Sequence, residues 1–195
     1  GRGELNFIIY HGGYRHAGGG TADAGWREFE QTGRVSWVTD LAEIPGKFGV
    51  TNVYADVGQL FAQSVVAAPR LSAALMGILG KGLGYERVVW GTDAVWTGSP
   101  QWQIEALRRL EIPEDMQKAH GFKPLGAADG PIKSMIFGDT NARLYNIDKT
   151  EPRSLRADEG RIREGRPRPQ QPALWLCARS RGLVRLRLKA CSTRL

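Results

Sequence analysis

Three short, largely apolar runs mark the first hundred residues: 5–10 (LNFIIY), 52–57 (NVYADV) and 87–91 (RVVWG), each followed closely by Gly or Asp. Unbroken apolar character, rather than alternation, is how a strand buried on both faces of a parallel sheet reads. Helical spacing fills the gaps. Residues 36–48 put Trp37, Leu41 and Ile44 on one side. Pro69 suits a first helical turn, Leu71, Leu75 and Ile78 continue the stripe, and Gly80 offers a stop. Ser99-Pro100 opens a helix with Ile104, Leu107 and Leu110 as its apolar stripe and Arg108-Arg109 near its C-terminal end. Residues 132–147 predict a last amphipathic helix anchored by Ile136, Leu144 and Tyr145.

The order β-α-β-α-β-α-α predicts an α/β domain with a parallel sheet. An open doubly wound sheet and a closed (β/α)8 barrel both fit that order, and three strands complete neither. A barrel takes roughly 250 residues, so a stretch of roughly 150 supplies fewer than five of its eight units, and the three apolar runs mark about three.

Charge changes the picture only once it is divided along the chain. The 195 residues carry a net +7, but residues 151–195 hold 12 of the 27 basic and four of the 20 acidic side chains, a net of +8. Residues 1–150 are therefore close to neutral at −1, and basic charge gives no reason to read them as a nucleic-acid-binding domain. Both cysteines, Cys177 and Cys191, also lie in the tail, so the preceding residues hold neither a disulfide framework nor a zinc-finger spacing. Residues 1–147 read as one domain and 148–195 as an Arg/Pro-rich tail, disordered or non-native, with RIREGRPRPQQP at 161–172 and an alternating LVRLRL at 183–188. No apolar run approaches the ~18–20 residues of a membrane span. The start, Gly1-Arg2-Gly3-Glu4, has no initiator Met and no apolar leader and reads as an interior cut, with a cytoplasmic location expected.

In a parallel α/β sheet, chemistry sits where strands end and loops begin. His11 follows the first run and precedes Gly12-Gly13; Asp93 follows Val88-Val89-Trp90-Gly91-Thr92; Asp56 lies one residue before the end of the middle run. A His and an Asp on different strand ends suit metal ligation and activation of a bound water. Each also has a plainer reading, the His as a hydrogen-bonded structural residue and the Asp as a loop cap, and Asp56 reads as structural. The glycines at 18–20 match no phosphate-binding pattern and read as a flexible loop. Trp26, Trp37, Trp90, Trp96 and Trp102 could line an apolar substrate pocket or be core. His120 reads as a helix-end residue and His16 as a loop residue.

His11-Gly12-Gly13 after an apolar strand, GVTNVYADV at 49–57 and RVVWGTD at 87–93 together resemble the C-terminal half of the amidohydrolase-related family. Asn141-Ala142-Arg143-Leu144-Tyr145 is similar to the motif that ends that family's closing helix, with one residue fewer before the Arg. The resemblance covers about residues 5–147 and implies strands six to eight of a TIM barrel in a metal-dependent hydrolase or decarboxylase. It implies Asp93 as the strand-eight aspartate that ligates the metal and takes a proton from the attacking water. It implies His11 as the strand-six histidine that ligates a second metal or polarises the substrate. The metal would be zinc or manganese, and the substrate a small cyclic or aromatic carboxylate or amide. The family's H-x-H on strand one and its strand-five His have no counterpart here, so the chain is expected to be inactive alone. The other reading is a non-catalytic module whose basic C-terminal arm binds nucleic acid or a partner protein.

Overall fold

The computed structural model describes residues 5–16 and 21–149. The glycine run at 18–20 and the Arg-rich segment from residue 150, with both cysteines, lie outside the described residues.

Three strands form one parallel sheet in chain order: β1 (Phe7–Ile9), β2 (Val53–Asp56) and β3 (Val88–Val89). Phe7 pairs with Val53 and Ile9 with Ala55; Ala55 pairs with Val88 and Asp56 with Val89. Two helices, α1 (Ala22–Thr32) and α2 (Val38–Phe48), carry the chain from β1 to β2, and two more, α3 (Gly58–Ala67) and α4 (Pro69–Gly82), carry it to β3. Beyond β3 come a single turn α5 (Ala94–Thr97), α6 (Gln101–Arg109) and α7 (Glu114–His120). A last helical stretch is divided into α8 (Pro131–Ser134), a π turn (Met135–Asp139) and α9 (Thr140–Leu144). The described residues are therefore mixed α/β and mostly helical. None of their helices is long and apolar enough to cross a membrane.

The core is organised around α4 more than around the sheet. Every residue from Leu71 to Gly80 is buried, so this helix is covered all round, as an amphipathic surface helix would not be. Its glycines allow that enclosure. A Cβ on Gly77 would collide with the Phe122 ring, and one on Gly80 with the Tyr85 ring. Gly80 thus serves close approach inside a helix that runs on to Gly82, and does not stop it. Leu60 and Phe61 of α3, with Ala55 and Val88 of the sheet, complete the packing at zero exposure.

The sheet is shorter and less buried than its apolar runs predict. β2 and β3 are enclosed, but Phe7 is 45% and Ile9 37% exposed, because the outer edge of β1 has no neighbour among the described residues. Other details also depart from the pattern. Trp37 precedes α2 in a left-handed conformation (φ 68°) and lies 61% exposed, while Leu41 does enter the core. Tyr145 is 63% exposed, so of the three anchors expected in the last helix only Ile136 is buried. The π turn rotates the residues after it away from the apolar stripe that a regular helix would continue.

The segment 140–143 instead secures β3. Thr140 Oγ1 (3.3 Å) and the Arg143 guanidinium (2.7 Å) both donate to the Glu86 carbonyl, and Asn141 Nδ2 donates to the Trp90 carbonyl at 3.2 Å. These carbonyls flank a strand only two residues long, so side chains satisfy backbone groups that a longer ladder would have paired.

Candidate active site

Because the strands are parallel and adjacent, their C-terminal ends open on one side. His11, Asp56 and Asp93 follow or close β1, β2 and β3 there, so the chain brings all three to one sheet end. Asp56 holds the middle. Its Oδ1 accepts the His11 N–H at 3.3 Å and its carboxylate also accepts the Gly58 N–H. Its place within the middle run reads as structural, and Asp56 does tie the turn after β1 to the start of α3. Gly58 and Gly91 make room for it. A Cβ on Gly58 would lie 2.5 Å from His11 Nδ1 and 2.7 Å from Asp56 Oδ1, and one on Gly91 would overlap Asp56 Oδ2.

Asp56 is 9% exposed, and burial pushes its carboxyl above the ordinary range by disfavouring the charged form. The negative charge of Asp93 adds to that rise, while the His11 N–H opposes it. The two carboxylates are thus close enough to sense each other. His11 (φ 55°) and Asp93 (φ 51°) are also two of the four non-glycine residues with left-handed backbone among the described residues. That conformation costs an L residue roughly 1–2 kcal/mol. Such outliers persist where surrounding contacts over-determine them, and they concentrate at functional sites.

The His11 ring is oriented by backbone. The Gln59 N–H donates to Nδ1 at 3.0 Å, so Nδ1 holds the lone pair and, in the neutral ring, the proton sits on Nε2. The 3.9 Å approach of Nδ1 to Asp56 Oδ1 is then a contact between two acceptors and not an ion pair. His11 presents an N–H donor through Nε2, which suits polarising an oxygen and does not suit direct ligation of a cation.

Asp93 stands at the start of α5, and its loop is held from behind. Thr97 Oγ1 donates to the Thr92 and Asp93 carbonyls at 2.8 and 3.0 Å, and Gln103 Nε2 donates to the Thr92 carbonyl and to Thr97 Oγ1, both at 2.8 Å. Gln103 is fully buried. Sequence reasoning missed it, since it sits among the apolar stripe of α6, and missed the Gln59 amide, which no side-chain pattern reveals. The glycines beside Asp56 and Asp93 were the available hint.

Among the described residues no group of three or more His, Cys, Asp or Glu side chains is disposed to hold a metal ion. A catalytic zinc takes three protein ligands and a water. Two carboxylates and a histidine whose accepting nitrogen is already occupied do not meet that need. The residues described here do not fit a metal site by themselves. Of the tryptophans, Trp37 and Trp96 are largely exposed, Trp26 carries the Arg70 guanidinium over its ring at 5.7 Å, and Trp90 packs between Phe61 and Phe137. His120 ends α7, as its sequence context predicts.

Comparison with protein-family models, curated proteins and solved structures finds no match for this chain.

Proposed function

We propose that residues 5–147 correspond to strands six to eight, with their helices, of a TIM-barrel hydrolase or decarboxylase of the amidohydrolase-related type. The observation that carries this reading is the convergence of His11, Asp56 and Asp93 at the C-terminal end of three parallel strands that adjoin in chain order. Sequential neighbours are what a barrel requires, and its chemistry lies at that end. The parent reaction is hydrolysis or decarboxylation of a small cyclic or aromatic carboxylate or amide. In that reaction Asp93 handles the proton of an attacking water and the His11 Nε2–H supports the oxygen on which charge develops. Asp56 positions His11 through its backbone. The zinc or manganese implied by the resemblance depends on ligands beyond those described here, and so the chain alone is proposed to be inactive.

The test is turnover over a panel of aromatic carboxylates and cyclic amides with added zinc or manganese, for this chain and for Asp93→Asn. No turnover in either is expected. Metal-dependent turnover abolished by Asp93→Asn would keep the hydrolase reading and refute the incompleteness. Salt-sensitive DNA binding lost on deleting residues 151–195 would instead favour the non-catalytic module.

A further inference from the structure

A cavity of about 660 Å³ lies among the C-terminal ends of α2, α4 and α7. α2 and α4 lead by short connections into the N-terminal ends of β2 and β3, so this cavity sits toward the end of the sheet opposite His11, Asp56 and Asp93. Its volume falls within the range of small-molecule sites.

Its chemistry is two-sided. Ala42, Ile78 and Phe122 supply an apolar lining, and the His120 ring stacks on Phe122 with centroids 5.3 Å apart and planes 22° from parallel. Arg34, Lys47 and Lys81 line it as cations, against one lining carboxylate, Glu43. Arg34 (2.5 Å) and Lys47 (2.6 Å) both pair with Glu43, and Arg34 also reaches Asp40 at 2.9 Å. Their charges are therefore largely answered. Lys81 differs: its Nζ donates to the neutral His120 carbonyl at 2.8 Å, and it forms no ion pair among the described residues. One exposed ammonium with unused donors thus stands beside the stacked pair of His120 and Phe122, of which His120 is the more exposed member.

We infer that this cavity is a binding site for a small organic anion with a planar apolar body, of the aryl carboxylate class, with Lys81 facing the carboxylate and the ring lying near His120 and Phe122. A flat ring gains contact area with the His120 ring, the more exposed member of the stack, and a charge-assisted hydrogen bond to Lys81 fixes its orientation. The site is separate from the strand-end cluster, so it stands whether or not the hydrolase reading does.

The test titrates the full chain with para-fluorobenzoate, followed by fluorine NMR line broadening. Saturable binding is expected, weakened about tenfold in Lys81→Gln, the scale of one charge-assisted hydrogen bond. Ala119→Glu, at an exposed rim position, should weaken it similarly by repelling the anion, and it guards against a folding defect specific to Lys81→Gln. Asp93→Asn should bind as the parent does, and the neutral para-fluorobenzyl alcohol at least about tenfold more weakly. The inference is overturned by absence of saturable binding, by a folded variant of either pair that binds as tightly as the parent, by equal binding of the alcohol, or by loss of binding in Asp93→Asn.

Discussion

Helix α4 and strand β1 are both built from apolar runs, LSAALMGIL and LNFIIY, yet they meet different surroundings. The helix is enclosed by α1, α2, α3 and the rings of Phe122 and Tyr85, and its ten residues from Leu71 to Gly80 are all buried. The strand pairs with β2 on one side only, and Leu5, Phe7, Ile9 and Tyr10 remain exposed. A helix satisfies its own backbone hydrogen bonds, so neighbours need only cover its side chains. A strand leaves half its backbone groups to a neighbour that the described residues do not provide on the outer edge of β1. Stability in this chain therefore resides in the helical packing, and the residues with chemical potential sit on the thinner platform.

If that contrast holds, the largest loss should come from the helical side. Phe61→Ala removes a fully buried ring that packs on Trp90 at 5.8 Å, and chemical denaturation should show about 4 kcal/mol of lost stability. A loss under about 1 kcal/mol would mean that the helical core is not the stabilising unit.

Asp56→Ala should cost less, about 2 kcal/mol, by leaving the His11 and Gly58 N–H groups without their acceptor. Hydrogen exchange should show the effect confined to the turns after β1 and β2, with protection of α4 unchanged. A change spread evenly over both regions would erase the distinction between them.

On the open edge the same comparison predicts almost no effect on stability. The double variant Phe7→Lys with Ile9→Lys should alter unfolding by under about 0.5 kcal/mol, and light scattering should show less self-association than in the parent, because charged side chains blunt an exposed strand edge. A cooperative loss of structure would show that β1 belongs to the core after all.

The smallest effect is electrostatic and lies in the helical layer. Arg34 and Lys47 hold the Glu43 carboxyl at about 2, below its ordinary 4.5. A carboxyl lowered in the folded state stabilises the fold above its unfolded-state pKa, and that contribution disappears as pH falls from about 4.5 through about 2. Glu43→Gln should remove this part of the acid sensitivity, read as the difference between two urea midpoints across that interval.

Because hydrophobic periodicity and glycine placement are local properties of a chain, the apolar runs and helical spacings determined the three strands and their parallel pairing, the helices α2, α4 and α6 and the residues at the strand ends, but not α1, α3 or α7. They also placed His120 at a helix end and Arg108-Arg109 in the last turn of α6. Tertiary structure alone decided the rest. Phe7 and Ile9 have the pattern of buried strand residues, but burial depends on a neighbour that pattern does not specify. Gly80 reads as a helix stop until the Tyr85 ring is seen against it. Asp56 became the centre of the site because a turn 45 residues away brings the His11 N–H to its carboxylate, and the proton-bearing nitrogen of His11 was set by a backbone amide of Gln59. Contacts between residues distant in the chain depend on how whole elements pack, and no local pattern encodes which backbone group will face which side chain.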